Sequence, residues 1–324
     1  MKVSDQLNLT NPISSNTGFQ VPKLFFKSPF EGGLRGMTIG LLILLLVPFK
    51  TLHSQNNSDT IQEVAEFTNL QNPENILQVF NINGSVTVEG YNGKEIQITA
   101  QKTIEANRKE DVNRGLNEMQ LIVEEQADQV LIYLEAPFIQ VKKSNGKISY
   151  CIDDWDQEYD FKFDINIKLP LKMNLNISTI NRGSVAIHNM MARELIASNV
   201  NGEIELNEIS GTTRATTLNG DIRARYHSSP TDNSKYETIN GTIEVFYPED
   251  LAADIRFESM HGDLYTDFQD ITRLNTRLEE SKDRNNGTTS YRVDQFAPVR
   301  IGAGGPEYRF QVLNGDVYIK RIKS

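Results

Sequence analysis

The sequence predicts an all-β protein whose strands stack as a β-solenoid, and three observations support this fold class. A short phrase recurs, made of an apolar residue, Asn, Gly, a small polar or acidic residue and an aliphatic residue. Apolar and polar residues alternate on both sides of the phrase, as expected for strands. Copies in the second half follow one another at steps of 20, 18, 21 and 21 residues, a period typical of stacked repeats. The copies are Asn83-Gly84, Asn181-Arg182-Gly183, Asn201-Gly202, Asn219-Gly220, Asn240-Gly241, His261-Gly262 and Asn314-Gly315.

When the copies are aligned on the Asn, similar side chains fall in one column. The residues four positions before it are Ile177, Ala197, Ala215, Tyr236, Phe257 and Phe310. Coils that stack at about 4.8 Å put equivalent residues above one another, so these columns favour the solenoid. An antiparallel β-sandwich of Asn-Gly hairpins is the alternative, because the step lengths are uneven. In both folds Asn-Gly predicts a tight turn, since both residues tolerate a positive φ.

The N-terminal part predicts an export signal. Residues 38–49 (TIGLLILLLVPF) are apolar, but this run is shorter than the roughly 20 residues that a membrane-spanning helix needs. It matches the apolar region of a signal peptide, with basic residues before it. We therefore expect a leader over 1–54, beginning at Met1 or at Met37, and a mature chain that starts near Gln55. The alternative is an uncleaved leader that anchors the chain in a membrane.

The rest of the chain is expected to form one β-repeat domain after a polar linker at 55–75. The domain is divided into an irregular part over 76–170, regular repeats over 171–266, an insertion over 267–300 and a final repeat over 301–324. The irregular part is expected to contain a short surface helix and a hairpin. It belongs to the same β-structure, because the terminal coils of solenoids are usually atypical.

Two further segments carry structural expectations. Residues 137–160 show no regular alternation and are expected to form a long loop. The last strand, over 311–322, is expected to lie at an open edge of the stack. Lys320, Arg321 and Lys323 stand at its end, and charges at such a position discourage pairing with another strand.

Charge and cysteine content exclude several function classes. The formal net charge is −10 and the sequence pI is about 5.1, so a phosphate backbone would be repelled and we expect no nucleic-acid partner. The single cysteine, Cys151, excludes an intrachain disulfide and a multi-cysteine zinc site. No cofactor motif is found, and we expect no cofactor.

The acidic segment 153–160 is the first candidate site. Its carboxylates, led by Asp153, Asp154 and Asp156, are oxygen ligands of the kind that calcium prefers. The segment lacks the glycine and the ordered spacing of an EF-hand loop. A solvated acidic loop anchored by Trp155 is therefore the favoured interpretation, and the cation site is the alternative.

The second candidate is the column that directly follows the Gly of the phrase. It contains Glu203, Asp221, Thr242 and Asp263, which would lie along one edge of stacked coils. Facing carboxylates act as acid and base in glycoside chemistry, so a polysaccharide-active β-helix enzyme is one hypothesis. The favoured interpretation is that each side chain caps its own turn.

The ordered set of segments resembles the bacterial putative-adhesin domain family. The resemblance is carried by residues 83–91 (NGSVTVEGY), 164–170 (DINIKLP), 176–179 (NIST) and the Asn-Gly copies that follow. It covers roughly 76 to the C-terminus and implies a β-solenoid-like fold in an exported protein with an adhesive or envelope role. It implies no catalytic residues. The end of the leader is also similar to exported proteins of the Bacteroidetes group.

The sequence therefore predicts an exported, non-enzymatic β-repeat protein of the cell envelope, located in the periplasm, at the outer membrane or outside the cell. Its partner would be an envelope or surface ligand, either a polysaccharide or a protein. Contact with a membrane is expected only through an uncleaved leader. In that case the chain would be an anchored envelope sensor or regulator.

Overall fold

The computed structural model describes residues 55–144, 147–152, 158–275, 278–282, 289–293 and 298–323. Most of these residues lie in strands, and one short helix is present among them. The first elements are β1 (Gln55–Ala65), β2 (Ile76–Phe80), β3 (Val86–Tyr91), β4 (Ile96–Ala106), α1 (Lys109–Glu118), β5 (Gln120–Glu125), β6 (Gln129–Glu135), β7 (Ile139–Ser144), β8 (Lys147–Ile152), β9 (Tyr159–Pro170), β10 (Asn174–Ser178) and β11 (Val185–Ser198). The others are β12 (Ile204–Thr216), β13 (Ile222–Tyr226), β14 (Ser234–Asn240), β15 (Ile243–Tyr247), β16 (Ala253–His261), β17 (Leu264–Thr266), β18 (Ile271–Arg273), β19 (Leu278–Lys282), β20 (Thr289–Val293), β21 (Val299–Ile301), β22 (Glu307–Asn314) and β23 (Val317–Arg321).

The described residues pack as two compact units. The first contains the residues up to Asn57, Ile104–Glu118 and Glu135–Asp160, and the second contains Ser58–Thr103, Met119–Leu134 and Phe161–Ser324. Two segments of the β-repeat domain expected over 76–324, Ile104–Glu118 and Glu135–Asp160, lie in the first unit. All copies of the Asn-Gly phrase lie in the second unit.

The second unit is built from coils that stack in parallel. Each coil has one strand before the Asn-Gly phrase and one after it, and each set of strands pairs with its equivalents. The strands before the phrase pair in the order β6, β2, β10, β11, β12, β14, β22 and β16. The strands after it pair in the order β9, β3, β11, β12, β13, β15, β23 and β17. The long strands β11 and β12 take part in both sets, because each ends one coil and begins the next.

The register confirms the β-solenoid. Equivalent positions of successive coils are paired, for example Leu175 with Leu195 and Ile222 with Ile243. The alternative of an antiparallel sandwich is wrong, because the strands on either side of each phrase pair with neighbouring coils in parallel instead of with each other. Stacking equivalent residues lets every inward aliphatic side chain contact one of similar shape above and below it. The inward side chains of both strand sets are accordingly buried, at 0–1 % exposure for Val86, Ile204 and Ile222.

The spatial order of the coils differs from their order in the sequence at both ends. The Asn83 coil lies directly against the Asn181 coil, with Gly84 N–H donating to Asn181 O at 2.8 Å. The coil of β22 and β23, the last in the sequence, lies between the Asn240 coil and the His261 coil.

The prediction that the last strand is an open edge is therefore wrong. β23 pairs with β15 on one side and with β17 on the other. The chain leaves β15, skips one coil position of about 4.8 Å, and forms β16 and β17 in the position beyond it. The C-terminal strands then occupy the position that was skipped. On the far side of β16, β21 pairs in antiparallel fashion and pairs in turn with β18.

Two predictions, one for the linker and one for the irregular part, need correction. The linker expected at 55–75 contains strand β1, and Ala65 and Phe67 after its polar start are buried. The long loop expected over 137–160 contains the antiparallel pair β7 and β8. The alternation of its apolar residues was hidden because the strands are short and rich in Lys. The predicted surface helix is present as α1.

The first unit is held by an ion-pair cluster next to α1. Glu158 Oε2 lies 2.9 Å from Arg114 Nη2 and also pairs with Arg108, while Arg108 Nε lies 2.6 Å from Asp111 Oδ2. The arginines hold the pKa of the Asp111 carboxyl below its usual value, mainly through the hydrogen bond from Arg108. The Tyr159 hydroxyl donates to Glu118 at 2.8 Å. Cys151, also in this unit, is a buried thiol that forms no disulfide.

Candidate binding surface

The asparagines of the repeated phrase form a continuous ladder. From Asn201 onward, the side-chain amide of each donates to the side-chain oxygen of the Asn in the preceding coil, whereas that of Asn83 donates to Phe161 O at 3.2 Å. The distances are 2.7 Å from Asn201 to Asn181, 2.9 Å from Asn219 to Asn201, 2.8 Å from Asn240 to Asn219 and 2.8 Å from Asn314 to Asn240. In each interior Asn, an N–H of the side-chain amide bonds to one neighbouring coil and the side-chain oxygen bonds to the other. The ladder ends at the position of His261.

The glycines of the phrase are required by close approach of the next coil. A Cβ on Gly202 would lie 2.1 Å from Gly183 O, and one on Gly220 would lie 2.1 Å from Gly202 O. The expected reason, a turn in which Asn and Gly both have positive φ, is wrong for the Asn and also for Gly183, Gly202 and Gly220; it holds only for the glycines at 84, 241, 262 and 315 among the described copies. Positive φ outside glycine occurs only at Arg182, Asn189 and Glu208 among the described residues. The recurring pair thus serves stacking between coils more than it serves the turn.

A second column adds hydrogen bonds between coils. The hydroxyl two positions before the Asn donates to the carbonyl of the Gly in the preceding coil. Thr179 reaches Gly84 O at 2.7 Å, Thr217 reaches Gly202 O at 2.9 Å and Thr238 reaches Gly220 O at 3.0 Å. Asn199 makes the equivalent bond to Gly183 O at 3.0 Å.

The carboxylate column is also part of the stacking. Asp221 Oδ1 accepts the Thr242 N–H at 2.8 Å, and Asp316 Oδ1 accepts the Asp263 N–H at 3.0 Å. The carboxylate therefore caps the turn of the adjacent coil and not its own turn, as had been expected. The spatial order places the Thr242 and Asp316 positions between Asp221 and Asp263. Three coil steps separate Asp221 from Asp263, about 14 Å, so these two do not converge.

A cavity of about 290 Å³ lies over the carboxylate column, and Glu203, Asp221, Arg223 and Glu244 are among the residues that line it. Glu244 accepts from Arg223 Nε at 2.9 Å and from Lys320 Nζ. Burial by itself raises the pKa of Glu244, but these two cations outweigh it and hold the pKa below its usual value. A general acid of a glycosidase needs the opposite shift.

The other sequence candidates do not converge into a site. No cluster of three or more His, Cys, Asp or Glu side chains suited to a metal ion occurs among the residues that the structure describes. The cation candidates Asp153, Asp154 and Asp156 lie outside the described residues. His227 Nδ1 lies 3.9 Å from Glu208 Oε2, and His261 lies beside Asn314 at the end of the ladder.

The structure reveals a surface that sequence reasoning missed. On the outer side of β13, β15, β23 and β17, a cavity of about 560 Å³ is lined by aromatic and basic side chains. We call this surface the terminal groove; its lining residues are Arg225, Phe246, Tyr265, Thr266, Asp267, Tyr318, Lys320, Arg321 and Lys323. Its volume lies within the range of about 300–1,000 Å³ that is usual for small-molecule sites.

Aromatic stacking organises the terminal groove. The rings of Tyr265 and Tyr318 are stacked, with centroids 5.0 Å apart and an angle of 14° between planes. They meet because β17 and β23 are in register at these two residues. Lys320 Nζ lies 5.2 Å from the centre of the Tyr318 ring and 5.6 Å from that of Phe246, within cation–π range. Tyr265, on the last coil, is 47 % exposed.

The basic side chains of the groove are tied to acidic neighbours at its rim. Arg225 Nε lies 2.9 Å from Glu208 Oε1, and Arg321 Nε lies 3.8 Å from Asp267 Oδ1. These pairs are partly exposed, so they hold the cations in place without neutralising their field completely. The nearby carboxylates of Asp316 and Asp263 raise the pKa of the Tyr265 hydroxyl.

The alignment of the repeat copies already contained part of the evidence for the stacked tyrosines. Tyr318 and Tyr265 both stand three positions after the Gly of their phrase and thus share an outward column. The copies are 53 residues apart in the chain, and the order of the coils in space was needed to bring them together.

Comparison with known proteins places the chain in a family. The sequence model of the family described as Toastrack DUF4097 matches residues 76–296. No curated protein matches the chain significantly. Within the described ranges, no helix combines the length and the apolarity that a membrane span requires.

Several solved structures are similar to this chain. A cell adhesion protein from Clostridium sporogenes, named as putative, is 13% identical, with a TM-score of 0.35, and the match covers 82% of this chain and 100% of that one. A putative adhesin from Bacteroides fragilis is 11% identical, with a TM-score of 0.31 and coverage of 82% and 97%. A putative lipid binding protein from Parabacteroides distasonis is 12% identical, with a TM-score of 0.22 and the same coverage.

The family match spans more than half of the chain and includes the Asn-Gly copies that build the stack, up to the His261 coil. The resemblance to a putative-adhesin domain that the sequence indicated is thereby confirmed. The chain belongs to the Toastrack DUF4097 family.

Proposed function

We propose that this protein is an exported, non-enzymatic binding module of the cell envelope, with an adhesin-like role. The observation that carries the proposal is the use of the repeat side chains. The Asn ladder, the Thr column and the capping carboxylates bond to neighbouring coils and build the stack, so the outward side chains of the strands form the surface that is left to meet a partner.

Membership of the Toastrack family is consistent with the stacked scaffold, and we infer that this scaffold serves to display side chains. A parallel stack holds its outward side chains in straight rows at a fixed spacing of about 4.8 Å. Such rows suit recognition of an extended ligand, because a repeating partner meets the same spacing along its length. The terminal groove is a part of that face where a cavity of about 560 Å³ is lined by aromatic side chains.

Export is tested by fractionating the native host and sequencing the N-terminus of the recovered protein. We expect a mature chain that starts near Gln55 and is found in the periplasm, at the outer membrane or outside the cell. An intact N-terminus in the inner-membrane fraction would contradict export and would favour an anchored sensor or regulator.

The enzyme alternative has its own test. The carboxylates Asp221 and Asp263 are about 14 Å apart by coil spacing, whereas paired glycosidase carboxylates lie roughly 5–10 Å apart. We expect the purified protein to release no reducing ends from envelope polysaccharides. A hydrolase or lyase activity that disappears in Asp221→Asn or Asp263→Asn would overturn the non-enzymatic proposal.

A further inference from the structure

The terminal groove and its edge carry three parallel rows of different chemistry, and the acidic row lies at the edge, where Asp316 Oδ2 is 3.3 Å from the Tyr318 hydroxyl. Asp316 and Asp263 form the row directly after the phrase. Tyr318 and Tyr265 form the next outward row, two residues further along the strands. Lys320 lies a further two residues along, beside Phe246 and Arg225 of the preceding coils. Two residues of strand span about 6.6 Å, so an aromatic row is flanked by an acidic row and a basic row.

We propose that the terminal groove binds a glycan that carries carboxylates at intervals, with the ring of an acidic sugar against Tyr265. This inference rests on the proposed binding function and names the ligand class of that same surface. Each of the three rows contributes a separate requirement, and an acidic sugar meets all three.

The aromatic row selects a ring with an apolar face. Tyr265 stands on the last coil, its ring covered on one face by Tyr318 and 47 % exposed as a side chain. A pyranose ring presents a face of C–H groups that packs flat on such a surface through dispersion and weak C–H contacts. The tyrosine pair is rigid because it is stacked, so little conformational freedom is lost on binding.

The basic row selects a negative group on one side of that ring. Lys320, Arg321 and Lys323 line the same cavity. Lys320 is held over two rings and paired with Glu244, which fixes the position of its ammonium group. A carboxylate on the sugar would gain charge-assisted hydrogen bonds from these side chains.

The acidic row restricts how densely the ligand is charged. Asp316 and Asp263 lie close enough to Tyr265 to raise the pKa of its hydroxyl. Sugar hydroxyls can donate to these carboxylates, whereas a second anion at this position would be repelled. A single-stranded nucleic acid also uses stacking and cations, but it carries a phosphate at every residue and meets a chain of net charge −10. A glycan with one carboxylate in every second sugar fits the three rows better.

The test uses the full-length protein and three probes in isothermal titration calorimetry. The first is a hyaluronan octasaccharide, which has a carboxylate on alternate sugars. The second is the same octasaccharide with its carboxylates reduced to alcohols, and the third is an oligothymidylate of eight nucleotides. We expect the first to bind, the second to bind at least about tenfold more weakly, and the affinity for the first to fall with added salt.

Matched variants locate the site. Tyr265→Ala should weaken hyaluronan binding by about tenfold, while Tyr265→Phe keeps the ring and should stay within about twofold. Tyr91→Ala, at an aromatic residue in an early coil, is the control for loss of a ring. Lys323→Glu should weaken binding, and Lys172→Glu makes the same charge change at an exposed position in an early coil and should not.

Three results would overturn the inference: no binding of hyaluronan, equal binding of the reduced octasaccharide, or oligothymidylate binding as tight as that of hyaluronan. Any of these, together with a mature protein recovered outside the cytoplasmic membrane, would leave the proposed envelope-binding function standing and remove only its ligand. Recovery of the intact chain in the inner membrane would instead contradict the proposed function, whatever the octasaccharide does.

Discussion

The central coils and the terminal coils of the same stack are held together by different chemistry. From Asn181 to Asn240 the Asn ladder and the column of hydroxyls and amides are complete, and the small interior positions are filled by Ala197 and Ala215. In the two terminal coils Val312 replaces the hydroxyl and His261 replaces the Asn. The Ser259 Oγ is buried with no hydrogen-bond partner among the described residues.

Aromatic packing is added towards this end of the stack, at interfaces where the Asn ladder itself is still intact. In the column of Ala197 and Ala215, the next coils carry Tyr236 and Phe310, whose rings stack at 4.9 Å. Tyr247 adds stacks with Tyr226 at 5.0 Å and with Tyr308 at 5.3 Å. The comparison teaches that a coil interface can be fixed by directional hydrogen bonds at its turn or by large rings in its interior. It also explains why the outward tyrosines of the terminal groove lie at the aromatic end.

Among substitutions at the hydrogen-bonded interfaces of the central coils, Gly220→Ala should destabilise the protein most. The added methyl would lie 2.1 Å from Gly202 O, and both backbones are locked by pairing on either side. We expect a loss of about 3 kcal/mol in the free energy of unfolding, measured by urea denaturation. Gly93→Ala is the control, because its methyl would meet only the Tyr91 side chain, which can rotate away. Its loss should stay below about 1 kcal/mol, and equal losses in the two variants would contradict the account.

Alkaline pH should destabilise the interfaces that contain buried tyrosines. Burial raises the pKa of the Tyr226, Tyr236 and Tyr247 hydroxyls, which bond to one another. A raised folded-state pKa means that the stability is fully present below about pH 10, where unfolded tyrosine begins to ionise, and falls as pH rises further. By pH 11 each of these tyrosines should subtract about 1.4 kcal/mol from the free energy of unfolding.

The variant Tyr236→Phe isolates one of these groups. At neutral pH it should cost about 1–2 kcal/mol, because the Tyr226 and Tyr247 hydroxyls each lose a hydrogen-bond partner. Between pH 9 and 11 its stability should fall less steeply than that of the unsubstituted protein. Tyr91→Phe, at a half-buried residue whose hydroxyl bonds to Glu95 O, should follow the unsubstituted slope. Identical slopes for all three proteins would show that the buried tyrosines do not govern alkaline stability.

The fold class could be predicted from the sequence because stacked coils place similar residues at equivalent positions of each repeat. Similar residues recur at Ile204, Ile222 and Ile243 since each contacts the next in space. The order of the coils could not be predicted. Because the copies of the phrase are nearly identical, any copy could stack on any other. The sequence of the Asn314 copy therefore does not indicate that it lies between Asn240 and His261.

The role of the turn residues was predicted only in part. Asn219 and Gly220 were found, but their purpose was assigned to turn geometry, because one chain segment shows φ preferences and does not show what lies above it. The terminal groove was missed for the same reason. Its Tyr265–Tyr318 stack joins coils that are neighbours only after the chain has skipped one position and returned.

The smallest expected effects come from exchanging one residue between the two kinds of interface. In the central coils Thr217 Oγ1 donates to Gly202 O, so Thr217→Val removes that bond while keeping the shape of the side chain. We expect a loss of about 1–2 kcal/mol, since the carbonyl stays buried without this donor.

The reciprocal change, Val312→Thr, places a hydroxyl at the equivalent position facing Gly241. A Cβ added to Gly315 would lie 2.0 Å from Gly241 O and 3.4 Å from Val312 Cγ1. The close approach between glycines that is seen in the central coils is therefore preserved here. The new bond should add up to about 1 kcal/mol to the free energy of unfolding. If Val312→Thr instead destabilised the protein as much as Thr217→Val does, the aromatic coils would have lost the register that the ladder needs. The hydrogen-bonded and aromatic interfaces would then be alternatives fixed by backbone position, and a hydroxyl would have no partner in the terminal coils wherever it was placed.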